Sequence, residues 1–324
     1  MVQYLLKAHK TCELTLLQDL STRPQYQHFK ARRGLARNHP VAVLGTVGGV
    51  GILVYATSQQ EIPYTGRSHA ILVSAESEKT MGEETFKEIL REAQMEGKLV
   101  PAHHPAMALV RRVGTRIARA VSDSYGGGFQ EHMKGLEWEF AVINSPEVNA
   151  FVVPGGKVVI YAGLLDVIDS EDELAAVLAH ESAHVLARHA AERLMQAGTL
   201  EIVRMVAYWG FGLPIPGAPL QAVFFLPNSR KAETEADLIG VQVMARACFD
   251  PRASMTMFEK LGKAEQKAGG YVPKMLRTHP LSTDRIKAIS AIIPKAETLY
   301  ENSNCDVLKG PLKGFQRAFG SSWT

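Results

Sequence analysis

Residues 171–194 read EDELAAVLAHESAHVLARHAAERL, and how this stretch is read decides the fold. Leucine, alanine and valine recur at helical spacing, and Ser170 opens a capping-box pattern, Ser170-x-x-Glu173. Into this helix are set His180, Glu181 and His184. Four residues apart, the two histidines lie one turn above the other on one face, about 40° apart, so both can hold one ion. Zinc accepts imidazole nitrogen at ~2.0 to 2.1 Å, and a catalytic site keeps one position open beside three protein ligands. Glu181, one residue past the first histidine, reaches a water at that position rather than the ion and takes its proton as general base. The pattern is H-E-x-x-H with one task per residue. Its neighbours Leu174, Val177, Leu178, Ala183, Val185 and Leu186 are apolar. Two imidazoles and a carboxylate are costly there without a partner, which favours a metal centre over a chance match in a charged helix.

A third ligand has to come from elsewhere. Positions 187 and 190 are both alanine, so the metzincin extension is missing. His189, five residues past His184, is turned off the ligand face and reads as an ordinary polar helix residue. Downstream, SRKAETEADLIG at residues 229–240 places Glu233, Glu235 and Asp237 in one helix. Glu233 and Asp237 share a face, so one can bind zinc while the other supports a ligand histidine. Spacing leaves Glu233 and Glu235 both open as the ligand. In RTHPLSTDRI, residues 277–286, His279 and Arg285 are groups able to stabilise the oxyanion formed when water attacks a peptide carbonyl.

Of the 324 residues, 46% are hydrophobic and 21% charged, enough apolar material for a substantial core and too much for a disordered chain. A net charge of +3 gives no indication of a nucleic-acid partner. The basic excess is local: Lys7, Lys10, Arg23, Lys30, Arg32, Arg33 and Arg37 stand against Glu13 and Asp19 in the first 40 residues. After them Val41–Thr57 carries no charge and reads as a membrane span at the short limit of length, its glycines better tolerated in lipid than in water. Gly45-x-x-x-Gly49 adds a weak signal for helix self-association. The leader suits a mitochondrial targeting segment or the positive-inside flank of an anchor. Cys12, Cys248 and Cys305 are few, odd in number and widely spaced, which argues against a disulfide framework and a cysteine-built metal site.

Ser58–Gly82 is polar and reads as a linker. Helices are expected over Glu83–Gly97, with Phe86, Ile89, Leu90 and Ala93 on one face, and through Leu109, Val113, Ile117 and Val121, with the arginines on a solvated face. LEWEFAVINSP reads as a strand and VNAFVVPGGKVVIYAGLL as a hairpin turning at Pro154-Gly155-Gly156. Met205–Ser229 is charge-free but holds Pro214, Pro216, Pro219 and Pro227, so it is not one continuous membrane helix.

In this order NAFVVPGGKVVIYAGLL, HESAH, SRKAETEAD and THPLSTDR resemble the zinc metallopeptidase family that includes the CAAX prenyl proteases, the bacterial heat-shock membrane protease HtpX and the Oma protease of the mitochondrial inner membrane. The likeness runs from about Gly82 to Cys305. ARHAAE after the metal motif, STDRI and the late NSNC look most like the Oma branch. The resemblance implies an α+β fold: a predominantly helical zincin-like domain with a small edge sheet, preceded by one N-terminal transmembrane helix. It implies that His180, His184 and Glu233 hold one Zn2+ per subunit, with Asp237 behind them and Glu235 not a ligand. Glu181, His279 and Arg285 become the catalytic group, with an ionic link from Arg285 near Asp237, and Asn149, Ala150 and Phe151 the edge that receives an extended substrate.

The expected organisation is a basic leader (1–40), a transmembrane helix (41–57), a linker (58–82), a metallopeptidase domain (83–305) and a tail (306–324). The expected protein is a single-pass mitochondrial inner-membrane endopeptidase, N-terminus in the matrix and catalytic domain in the intermembrane space. Its partners would be inner-membrane protein substrates, the dynamin-like fusion GTPase among them, membrane lipid and further copies of itself. Two alternatives stand beside this: a bacterial envelope peptidase, which calls for a signal or lipobox, and a tethered binding protein with a structural zinc, which calls for a fourth ligand.

Overall fold

The computed structural model describes residues 40–123, 130–198, 229–267, 274–303 and 305. The leader, most of the proline-containing stretch 205–229 and the tail lie outside the described residues. Helix α1 (Pro40–Thr57) takes in the charge-free run. Its 18 residues reach about 27 Å at ~1.5 Å each, short of a ~30 Å hydrocarbon layer. Among the described residues no helix is long and apolar enough to cross a membrane. Ile52, Leu53 and Tyr55 on it are exposed.

The stretch read as a linker is ordered. Strands β1 (Gln59–Glu61) and β2 (Ser68–Ala70) pair antiparallel, Gln60 opposite His69, with Ile62 buried beneath their loop. Helix α2 (Ala75–Met95) begins eight residues before Glu83, because Ser74 caps it by accepting from the Ser77 amide. Phe86 and Ala93 are buried as their spacing predicts. Gly97, at φ +69°, ends the turn, and the Lys98 amide donates to the Ala93 carbonyl.

Helix α3 (Pro105–Ser122) buries Leu109, Val113, Ile117 and Val121. One arginine departs from the solvated face: Arg116 donates to the Ala247 and Cys248 carbonyls and lies 3.9 Å over the Phe249 ring. Strands β3 (Glu139–Ile143), β4 (Ala150–Val153) and β5 (Lys157–Tyr161) form a sheet in the order β3-β5-β4. β3 runs parallel to β5, and β4 antiparallel with Ala150 opposite Ile160. The β4–β5 turn needs left-handed backbone at Gly155 (φ +88°) and Gly156 (φ +75°), which glycine supplies without a steric cost. β4 is an outer strand, and no described strand pairs with its far edge.

A short helix α4 (Ala162–Leu165) leads to α5 (Glu171–Leu186), which carries the H-E-x-x-H residues. The capping box is half formed: Ser170 Oγ accepts from the Glu173 amide, while Glu173 Oε2 accepts from the amide of Asp169 rather than Ser170. α5 is buried all round, with Leu174, Leu178, Ala179 and Ala183 at 1% exposure or less, so it is the central helix rather than an amphipathic cover. Around it pack α3, β4, α7 (Arg230–Arg246) and α8 (Ala253–Lys267). α5 ends where Arg188 takes φ +51°. The Arg188 guanidinium is buried against Glu78 at 2.8 and 3.0 Å. Helix α6 (residues 189–198) follows at once. A short α9 (Lys274–Thr278) and a long α10 (Thr283–Asn302) complete the described chain, α10 lying along α7.

Cys248, just past α7, and Cys305, just past α10, form a disulfide across 57 residues of sequence. This corrects the expectation drawn from three scattered cysteines: the pair is brought together by the packing of α10 on α7, which spacing does not reveal.

Candidate metal centre and active site

Four buried side chains converge on one point. α5 projects His180 and His184 from consecutive turns, the first turn of α7 supplies Glu233, and His279 follows α9 immediately before Pro280. One donor atom from each lies within 4.8 Å of all the others. His180 Nε2 is 3.2 Å from His184 Nε2 and 3.4 Å from Glu233 Oε2, and His184 Nε2 is 3.5 Å from Glu233 Oε1. Donors bound at ~2.0 to 2.1 Å in a tetrahedron stand about 3.3 Å apart, so these three fit a zinc ion. His279 Nδ1 lies 3.3 Å from His180 Nε2 and 3.0 Å from Glu233 Oε1. Lone pairs of two imidazoles and a carboxylate, pointed at one another in a water-poor interior, are stabilised by a shared cation.

Glu181 sits at the edge of this cluster, 2% exposed, its Oε1 lacking a hydrogen-bond partner and 3.3 Å from His279 Nε2. Asp237, one turn beyond Glu233 on α7, places Oδ1 2.9 Å from His180 Nδ1 on the side away from the other donors. Arg285, near the start of α10, grips Asp237 by a two-toothed contact, Nε to Oδ2 at 2.7 Å and Nη2 to Oδ1 at 2.8 Å. Its Nη1 donates to the Pro280 carbonyl at 2.9 Å and stands 3.0 Å from Glu233 Oε2. Arg285 therefore lies behind the cluster, holding two carboxylates and the His279–Pro280 turn.

The close approach of α7 to α5 sets these distances. At Gly240 an added Cβ would lie 3.1 Å from the His180 backbone nitrogen and Cα, so bare backbone is what lets α7 bring Glu233 and Asp237 within reach. Glu235, the rival to Glu233, points the other way, toward His189 at 3.1 Å.

Charge follows from these contacts. Burial opposes a proton on His180, but the Asp237 and Glu233 carboxylates outweigh it and lift the imidazole to about 10. Burial pushes His184 well below the usual imidazole range despite Glu233, with neighbouring imidazoles adding to the effect. Burial would raise Glu233, but His279 and His180 hold it far below the ordinary carboxylate range.

A cleft of about 650 Å³ opens onto Glu181, His184 and His279, and Asn149 and Phe151 line its wall beside Tyr161. Ala150, between them, is fully buried against Ile160 on the sheet. Arg193 of α6, which no sequence pattern singles out, faces this cleft with Nε and Nη1 unbonded and its pKa lowered by burial. His189, which its position in the sequence makes an ordinary polar helix residue, is 1% exposed with Nδ1 2.7 Å from His184 Nδ1.

Comparison with known proteins gives the setting. Residues 112–293 match peptidase family M48. The mitochondrial metalloendopeptidase OMA1 of Saccharomyces cerevisiae is 38% identical over 81% of this chain and 77% of its own length. Its counterparts in Schizosaccharomyces pombe and Arabidopsis thaliana are 37% identical (81% of this chain, 75% of theirs) and 32% identical (90% and 74%). The chain belongs to peptidase family M48. It is a zinc metallopeptidase, and the only described cluster of histidine and carboxylate donors able to hold an ion is the one on α5, α7 and the α9–α10 turn. The M48 match begins inside α3, so β1, β2 and α2 are parts of the peptidase beyond that match.

Proposed function

We propose that this peptidase is a membrane-anchored zinc endopeptidase of the mitochondrial inner membrane, its catalytic domain in the intermembrane space. The observation that carries the catalytic reading is Glu181: a buried carboxylate with one unbonded oxygen, beside donors at tetrahedral spacing and at the floor of a cleft. His180, His184 and Glu233 hold the ion, and Asp237 fixes the His180 ring from behind. Zinc bound there supplies a Lewis acid that polarises the scissile carbonyl. Glu181 takes the proton of the attacking water and passes it to the leaving amine. His279, which lines the cleft with Nε2 3.3 Å from Glu181 Oε1, donates to the oxyanion, while Arg285 acts at one remove by holding Glu233, Asp237 and the turn that bears His279. Asn149, Ala150 and Phe151, on the outer strand, pair with the substrate backbone as an added strand.

The location is supported by the mitochondrial names of the relatives, by the basic leader before α1 and by the Cys248–Cys305 disulfide, which suits an oxidising compartment. In this reading α1 is the core of the anchor, in contact with lipid and with α1 of further copies through Gly45 and Gly49. The substrates are inner-membrane proteins, including the dynamin-like fusion GTPase, in quality control and the response to stress. The test is Glu181→Gln in the full chain in mitochondria. Full zinc content with cleavage of an inner-membrane substrate abolished is expected, and unchanged cleavage would remove Glu181 as the base. Added protease should reach the catalytic domain only once the outer membrane is ruptured. Protection after rupture refutes the placement.

A further inference from the structure

We infer that His189 and Glu235 form a buried relay that orients the ligand His184, and that the β1–β2 hairpin, outside the M48 match, anchors it. The inference rests on His184 being a metal ligand. His184 turns Nε2 to the metal cluster and Nδ1 to His189 Nδ1 at 2.7 Å. A neutral imidazole that offers a lone pair on Nε2 carries its proton on Nδ1, so His184 donates and His189 accepts. The proton of His189 is then on Nε2, where it donates to Glu235 Oε2 at 3.1 Å. Every donor in the chain finds an acceptor, and both tautomers are fixed.

Glu235 is itself held from outside the helices. Thr65 Oγ1 donates to its Oε1 at 2.6 Å and Arg67 Nε to its Oε2 at 2.9 Å, both from the loop joining β1 to β2. The same guanidinium grips Glu192 of α6 through Nη1 at 3.1 Å and Nη2 at 2.8 Å. Gly66, at φ +68°, and the Ile62–Arg67 backbone bond of 2.8 Å set the loop that aims both donors. His189 is 1% exposed and the Glu235 side chain 6%, so water does not substitute for these partners. His189 and Glu235 touch neither the cleft nor the metal donors other than His184. They are positioning residues, and orienting partners of this kind are worth about 10 to 100-fold in metal affinity.

The experiment measures zinc affinity of the full chain in detergent by chelator competition, and the visible spectrum of the cobalt-substituted protein. His189→Leu keeps the volume and removes the relay. His189→Gln restores an acceptor and a donor at similar reach. Zinc affinity is expected to fall about 10 to 100-fold in His189→Leu with a changed cobalt spectrum, to recover to within about threefold in His189→Gln, and to fall about 10-fold in Arg67→Ala, where only a partly exposed side chain is lost. Wild-type affinity and spectrum in His189→Leu overturn the relay, and wild-type affinity in Arg67→Ala does so if His189→Leu does not fold. His184→Ala separates the two readings. If it keeps stoichiometric zinc, the ligand assignment itself fails; if it loses zinc while His189→Leu binds like wild type, only the relay fails.

Discussion

Replacing Arg285 with leucine tests whether the metal centre is built on a pre-formed charge frame. The side chains of Arg285, Asp237 and Glu233 are 4%, 2% and 1% exposed, so no solvent relieves a charge left alone. Removing the guanidinium takes its 2.7 and 2.8 Å bonds from the Asp237 carboxylate, leaving that carboxylate the His180 ring at 2.9 Å, and takes the cation 3.0 Å from Glu233. Breaking a buried pair from one side costs about 3 to 5 kcal/mol. Loss of the guanidinium from the Phe258 ring, 4.8 Å away, adds about 1 kcal/mol. Metal-free Arg285→Leu should therefore be about 4 to 6 kcal/mol less stable than the metal-free parent, read by urea unfolding followed by circular dichroism. With zinc bound the deficit should narrow, because the ion then meets the Glu233 charge. Adding Asp237→Asn to Arg285→Leu should recover part of the loss, since the carboxylate that lost the guanidinium is gone. A metal-free Arg285→Leu within about 1 kcal/mol of the parent, with no recovery in the double variant, would refute the frame.

His279→Ala should bind zinc at one per chain while kcat falls by about 10² to 10³-fold, measured by metal analysis and peptide turnover; loss of zinc would make His279 a ligand instead. Gly240→Val places methyl groups where a Cβ already meets the His180 backbone at 3.1 Å, so α7 must part from α5. Chelator competition should show zinc affinity at least about 10-fold weaker. His132, beside the Leu186 carbonyl, is lowered to about 4 by burial and by the Arg188 charge. Because the folded state refuses the proton that the unfolded chain accepts near 6.5, stability is full above pH 6.5 and falls as pH drops toward 4. At ~1.4 kcal/mol per pH unit the loss is about 3 kcal/mol, which His132→Gln should abolish in urea midpoints compared at pH 7 and 4.5.

The part of the site legible in the sequence is the part that one helix contains. His180, Glu181 and His184 are fixed relative to one another by helical geometry, whatever surrounds α5. Glu233 and Glu235 looked equivalent because the choice between them depends on which side of α7 meets α5, a matter decided at Gly240 and invisible in spacing. A helical wheel extended past Leu186 turns His189 off the ligand face. The wheel stops there: Arg188 at φ +51° breaks the helix and swings His189 back onto His184. Residues 58–82 read as a linker because their few apolar groups are scattered. Their order comes from polar contacts with partners far along the chain, among them Arg67 to Glu235 and Arg188 to Glu78. The hairpin over residues 148–165 was plain from its glycines and β-branched runs, whereas the Cys248–Cys305 pairing depends on α10 lying along α7.

The far edge of β4, which no described strand pairs with, has a consequence, on the proposed substrate role, for what such an enzyme can degrade. An edge that joins a substrate through its main chain reads conformation more than side chains, because every residue offers the same amide and carbonyl. A segment of a folded protein already spends those groups on its own helix or sheet and is shielded until it opens. Susceptibility should then rank with the free energy of local opening in the target, so that damage or loss of a partner marks a protein for cleavage without any sequence tag.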